Sequence, residues 1–275
     1  MIVVTGATGK VGRPLVRVLV AAGEEVTAVS RRISADEAPA GVRYHQGDLA
    51  DPRSLAPALD GAAALFLLTS GDFVAAGGTL GPALEAARAG GVRRVVLLSS
   101  QGVGTGDHSP ELEDAVTRSG LDWTLLRPGG FHSNALLWAD GVRERRVVTA
   151  PFGDVALPVV DPADIAEVAA TALRDAAHVG LTHELTGPAA VSPRQQAAAI
   201  GDALGEPVRF VEQSRDEARA AMVRFMPEPV VDRTLDMLGA PSAALRHVSP
   251  DVERLLGRPA RAFATWAAQH APAFK

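Results

Sequence analysis

Residues 1–12 read Met1-Ile2-Val3-Val4-Thr5-Gly6-Ala7-Thr8-Gly9-Lys10-Val11-Gly12, and this stretch decides the fold. Ile2-Val3-Val4 is a short β-branched run that predicts a strand. Residues 11–22, VGRPLVRVLVAA, place Val11, Leu15, Val18 and Leu19 at helical spacing. Between strand and helix, Gly6, Gly9 and Gly12 form G-x-x-G-x-x-G. The first glycine permits the tight turn, the second lets backbone approach a pyrophosphate, and the third lets the helix pack close to the strand. The helix start offers free N–H groups and a partial positive charge to phosphates. A glycine loop in this context predicts a dinucleotide site built from Gly6, Thr8, Gly9, Lys10, Val11 and Gly12.

Outward from the loop, apolar runs alternate with amphipathic stretches. Strands are expected at 2–5, 25–30, 42–45, 63–68, 93–98 and 122–126, and helices at 11–22, 52–59, 75–90 and 110–119. That alternation predicts an α/β fold, a Rossmann-type doubly wound parallel sheet. After about residue 130 the rhythm changes. Asp161-Pro162, Ser192-Pro193 and Ser249-Pro250 each set a capping side chain before a proline. Short strands are expected near 156–160, 183–186 and 207–212. The expected organisation is a dinucleotide-binding core over 1–130 and a smaller α/β C-terminal substrate lobe over 131–275, interleaved with the core as a single structural unit.

About 20 residues past the last glycine, an acidic residue would bind the ribose hydroxyls of NAD, whereas arginine accommodates a 2′-phosphate. The chain has Ser30-Arg31-Arg32 there. Arginine grips phosphate bidentately, so Arg31 and Arg32 predict NADP(H) as cofactor.

Composition narrows the chemistry. The 275 residues carry a net charge of −5 and no cysteine. Thiolate nucleophiles and Cys-ligated zinc are excluded. The seven histidines are scattered, so no metal is expected. No nucleic-acid partner is expected at this charge. No apolar run is long enough to span a membrane, and residues 1–5 lack the features of a signal peptide. A cytoplasmic protein, monomer or homodimer, acting on a small molecule, is the expectation.

Together with further motifs, the loop resembles the atypical short-chain dehydrogenases of the NmrA-like family, nearest to triphenylmethane reductase and the NAD(P)H:quinone reductases. Gly47-Asp48-Leu49 follows the third strand, Leu68-Thr69-Ser70 the fourth and Ser99-Ser100 the fifth. Residues 119–134, SGLDWTLLRPGGFHSN, then DPADIA at 161–166, LTGP at 185–188 and LLGRP at 255–259 continue the likeness over nearly the whole length. The resemblance implies adenine contact at Asp48 and Leu49. It implies cofactor contact at Leu68, Thr69, Ser70, Ser99, Pro128, Gly129 and Phe131, the last group bordering the nicotinamide.

One departure shapes the expected reaction. Mainstream short-chain dehydrogenases use Tyr-x-x-x-Lys as a proton donor. Here the only tyrosine is Tyr44, in the third strand, and the only lysines are Lys10 and Lys275. Isolated ketones need an acid to stabilise the forming alkoxide, whereas quinones, enones and other conjugated acceptors spread the charge themselves. The expected function is therefore an NADPH-dependent reductase of a conjugated, electron-poor acceptor, such as a quinone, an enone or an aromatic polyketide-like carbonyl. The alternative is a non-catalytic NADP-binding redox sensor of the NmrA type.

No side chain stands out as the acid. His132 and Ser100 are the candidates for proton or hydrogen-bond donation. Asp107-His108 has the form of an acid–base pair, but its polar loop, GTGDHSPE, predicts solvent exposure. Glu111, Glu113 and Asp114 fit a helix N-terminal charge bias. Gln101, Phe131, His132, Trp138, Phe152, Phe225 and Met226 are the candidates to wall a substrate pocket, since aromatic and methionine side chains suit a flat conjugated ligand.

Overall fold

The computed structural model describes residues 1–32 and 41–275. Among them are nine strands: β1 Ile2–Thr5, β2 Val26–Ser30, β3 Val42–Gln46, β4 Ala64–Leu68, β5 Arg94–Leu98, β6 Asp122–Pro128, β7 Val147–Ala150, β8 Leu181–Leu185 and β9 Arg209–Glu212. Seven form one sheet in the order β3-β2-β1-β4-β5-β6-β8. Ile2 lies between Val26 of β2 and Ala64 of β4, and the registers from β3 through β6 are all parallel. A parallel sheet is covered on both faces, which explains why β1, β4 and β5 read as unbroken apolar runs. The α/β doubly wound sheet expected from the alternation is present. From β1 the chain winds one way to β2 and β3, then returns and winds the other way through β4, β5 and β6. The order therefore reverses between β1 and β4, where open α/β sheets bind ligands beyond the strands' carboxyl ends.

The chain divides into two compact units. The first comprises Met1–Val103, His108–Pro128 and Pro162–Glu184, and the second Gly104–Asp107, Gly129–Asp161 and Leu185–Lys275. In the first, the helix Gly12–Ala21 turns Leu15, Val16 and Leu19 inward and packs against Pro162–Arg174. That partner helix is lined by Ile165, Ala166, Ala169 and Ala170, all buried. Its small side chains let the helices approach closely, and each fully buried leucine contributes about 1.5–3 kcal/mol. Across the sheet, Val3, Leu55, Leu65, Leu84, Val95 and Leu97 share one apolar cluster.

The second unit is organised around Trp266, Phe263, Phe274, Val142, Val148 and Ile200. Its two strands, β7 and β9, pair in parallel. The helices Pro193–Leu204 and Arg215–Met222 start with complete capping boxes, Ser192 with Gln195 and Ser214 with Glu217. A smaller cluster of Ala218, Val231 and Leu235 joins Arg215–Met222 to the helix Glu228–Gly239.

Several sequence expectations need correction. The helix expected over 75–90 is two helices, Gly71–Ala75 and Gly81–Ala89, because Gly77 takes a left-handed φ of 70° between them. No regular strand forms at 156–160, where Leu157 and Val160 make only isolated bridges. Strand β7 was not anticipated, although Val147-Val148-Thr149 is β-branched. At Ser249-Pro250 the helix starts at Asp251, so Pro250 holds the cap position, while Ser249 Oγ still accepts the Asp251 N–H at 3.2 Å. Among the described residues no helix is long and apolar enough to cross a membrane.

Candidate functional site

The glycine loop runs from the carboxyl end of β1. Thr5 fixes its base: its hydroxyl donates to the Phe66 carbonyl at 3.0 Å and accepts the Leu68 N–H at 2.9 Å, tying β1 to β4 at the point of reversal. Gly6 has φ +61°, a conformation that other side chains rarely adopt, and a Cβ there would press on Leu68. The Gly9 N–H donates to the Gly6 carbonyl at 2.9 Å, closing the turn. A Cβ on Gly12 would fall on that same carbonyl oxygen. Gly6 and Gly12 therefore do the turn and packing work that their spacing implied. The helix that follows has no capping side chain and no acidic residue in its first turn. Its N-terminal dipole is left to act on an anion.

Beside this loop lies a cleft of about 220 Å³, lined among others by Gly6, Thr8, Gly9, Ser30, Arg31, Asp48 and Leu49. Leu55, Leu68, Ser70 and Phe73 complete its floor and far wall. Four structural devices shape it. Thr8 Oγ1 and Ser30 Oγ are 2.9 Å apart, joining the loop to the end of β2. The Asp48 N–H donates to Ser54 Oγ at 2.9 Å, and Asp48 Oδ1 accepts the Ala50 N–H at 3.0 Å, setting the bend after β3. Ser70 Oγ accepts the Phe73 N–H, capping the next helix. A Cβ on Gly47 would press on Leu55 and Val29, so only glycine lets the backbone come this close to both.

The cleft thus gathers, from four strand ends, much of the cofactor set expected from the sequence. Arg31 lies at its rim, exposed, 3.5 Å from a still more accessible Asp72. Such a solvent-exposed pair is weak, so Arg31 stays available to a phosphate. Arg32 and Lys10 are exposed nearby in sequence, whereas the Val11 side chain is buried in the core. At Val11 the backbone alone is left for a ligand. Val29, Leu55 and Phe73 line the cleft without having been singled out. Val29 lies within β2, while Leu55 and Phe73 are buried residues of the helices that follow β3 and β4.

Beyond the cleft, β5 ends in Ser99 and Ser100. Ser99 Oγ donates to Glu113 at 2.5 Å, and Arg127 near the end of β6 donates to the same carboxylate through Nε at 2.9 Å and Nη2 at 2.5 Å. Burial alone would raise the Glu113 carboxyl. The hydrogen bonds from Arg127 and Ser99, with the Arg127 charge, hold it below the ordinary value instead. Glu113 does lie in the first turn of its helix, as expected, but its carboxylate is buried. The legible signal was Arg127 inside the apolar run Leu125-Leu126-Arg127-Pro128, since a buried guanidinium demands a carboxylate. Ser100 Oγ lies 3.0 Å from His108 Nδ1 and accepts the Gly102 N–H at 3.1 Å. His108 is exposed, as its loop implied, yet it is also partnered.

The structure places His132 otherwise than a proton donor requires. It is 1% exposed; its Nε2–H donates to the Val159 carbonyl at 3.0 Å, and its ring meets Phe263 edge-on at 5.3 Å. It is a packing residue of the second unit. The pocket candidates there do not converge. Trp138 packs with the Trp266 cluster, and Phe152 and Met226 with Val231 and Leu235. Phe225 stands 86% exposed. Phe131 bridges to Val160, the Gly129 N–H donates to the Leu185 carbonyl, Pro128 is buried at the end of β6, and Gln101 is buried just after β5.

Residues 6–176 match the family model described as NAD(P)H-binding. The chain belongs to the NAD(P)H-binding family. It is 39% identical, over its full length and 99% of the relative, to a (4-alkanoyl-5-oxo-2,5-dihydrofuran-3-yl)methyl phosphate reductase of Streptomyces griseus. It is 36% identical over the same shares to an NAD(P)H azoreductase of Xenophilus azovorans. Its fold matches the crystal structure of an NADPH-dependent quinone oxidoreductase from Escherichia coli complexed with NADPH, with TM-score 0.81 and 28% identity over 98% of this chain and 99% of that one. With reductases as full-length relatives and the NAD(P)H-binding region intact, this member of the family is an NAD(P)H-dependent oxidoreductase. The resemblance to the quinone reductases noted from the motifs is thus a family relationship.

Proposed function

We propose that this chain is an NADPH-dependent reductase of conjugated, electron-poor acceptors, with α,β-unsaturated lactones or ketones as the favoured class and quinones next. The observation that carries the reading is the cleft at the ends of β1 and β2, where Arg31 is free to meet a 2′-phosphate beside a glycine loop that cradles a pyrophosphate. When bound, the reduced nicotinamide supplies the hydride. The backbone of Gly6, Gly9 and Gly12 would hold the phosphates, with Thr8, Lys10 and the Val11 N–H beside them. Asp48 and Leu49 would take the adenine, and Leu68, Thr69, Ser70, Ser99 and Pro128 would hold the rest of the cofactor; the motif resemblance adds Gly129 and Phe131.

Substrate class is argued from chemistry. The sole tyrosine, Tyr44, belongs to β3, the edge strand beyond β2, and neither lysine lies in the two helices after β5, Gln101–Thr105 and Glu111–Thr117. An acceptor that delocalises its own charge needs less acid catalysis than a simple ketone. The relative acting on an unsaturated furanone phosphate supports that class. The test is a panel assay following NADPH absorbance with a butenolide, a quinone and a simple aliphatic ketone. Turnover of the conjugated acceptors is expected. Turnover of the aliphatic ketone alone would overturn the proposal.

A further inference from the structure

We infer that Ser100 donates the proton that accompanies hydride transfer and that His108 supplies it through Ser100 Oγ. The inference rests on the reductase reading above and adds the residues that finish the reaction.

Valence at the hydroxyl carries the argument. A serine hydroxyl has two acceptor lone pairs and one donor hydrogen. The Gly102 N–H fills one lone pair at 3.1 Å. His108 Nδ1, 3.0 Å away, fills the other when it carries its hydrogen. Ser100 is then left with one unused function, its O–H, and a hydroxyl in that state can only donate. Ser99 cannot play this part, because its hydrogen is already given to Glu113.

The surrounding backbone is built around the pair. The His108 N–H donates to the Gly102 carbonyl at 2.9 Å, so residue 102 grips both ends of the loop. A Cβ on Gly102 would come within 2.6 Å of His108 Nδ1. Only glycine leaves the imidazole room to reach Ser100. Placement agrees: Ser100 follows β5, which pairs with β4 through Leu98 and Leu68, on the side of the reversal point away from Arg31. A dinucleotide whose adenosine end lies by Arg31 directs its other end that way.

For an enone the step balances as follows. Hydride adds to the β-carbon, and the π electrons move to the carbonyl oxygen. The Ser100 O–H bond breaks as an O–H bond forms on that oxygen. The Nδ1 proton of His108 passes to Ser100 Oγ as the exposed imidazole takes a proton from solvent at Nε2, so neither an alkoxide nor an imidazolate is left. The enol product then tautomerises to the saturated ketone.

The test compares wild type with S100A, H108Q and G102A. One acceptor is an enone, which needs the proton. The other is a cationic triarylmethane dye, which hydride alone neutralises. In all three variants kcat on the enone should fall about 100-fold relative to the dye rate, with KM within about twofold, as loss of an acid or oxyanion donor implies. Equal losses on both acceptors, or an unchanged enone rate, would overturn the inference. Long-range 15N–1H imidazole spectra give a readout independent of turnover. The histidine signal absent from H108Q should show a protonated Nδ1 in wild type and shift in S100A. A hydrogen on Nε2 alone would refute the pairing, even for a protein that reduced neither acceptor; that second result would count against the reductase reading instead.

Discussion

Arg127 donates to both oxygens of Glu113, through Nε at 2.9 Å and Nη2 at 2.5 Å, and joins the end of β6 to the helix Glu111–Thr117. Glu113 is only 6% exposed and Arg127 23%, so the pair is largely out of water. Fork-to-fork geometry is the strong form of this contact. Removing one partner strands the other, so E113Q should lose about 3 kcal/mol of stability, read by urea unfolding at neutral pH.

Acid should erode the same contribution. The Glu113 carboxyl is held below its ordinary value of 4.5 in the folded protein, so the unfolded chain takes up its proton first as pH falls. Its stabilisation is complete above 4.5 and is lost as pH drops through the lower folded value. Unfolding curves at descending pH should show a steeper acid loss for wild type than for E113Q. Parallel curves would show that Glu113 does not titrate as described.

Gly12 touches the Gly6 carbonyl so closely that a methyl group has no room. G12A must move the helix away from β1, a rearrangement of about 1–3 kcal/mol. NADPH affinity, followed by fluorescence titration, should weaken at least tenfold while the far-ultraviolet spectrum stays native.

Arg31 and Arg32 separate the two dinucleotides. A charged hydrogen bond is worth about 1.5–3 kcal/mol, or roughly 10- to 100-fold in affinity. R31A and R32A should lose NADPH affinity by that order while NADH affinity changes little. Equal losses for both cofactors would place these residues away from the 2′-phosphate.

His132 offers a contrast with Ser100. It packs on Phe263 and Trp266 and donates to the Val159 carbonyl. H132A should lower the melting temperature, with a cavity cost of about 2–4 kcal/mol. The folded fraction should retain its turnover number. A specific loss of kcat without destabilisation would restore His132 as a proton donor.

The residues themselves determined the cofactor half of this protein. The β-branched run Ile2–Thr5, the three spaced glycines and the amphipathic stretch after them are local patterns, and local sterics dictate their shape. The pairing of strands into a doubly wound sheet follows from the same alternation. Only tertiary structure decided what lies beyond β5. Glu113 looked like a surface charge until Arg127, fourteen residues on, proved to be its partner. Phe225 and His132 looked like equals as pocket residues, yet one faces solvent and the other the core. His108 looked like a loop residue until the space left by Gly102 brought its ring to Ser100. Burial and side-chain pairing depend on which segments meet in space, and periodicity along the chain carries no record of that.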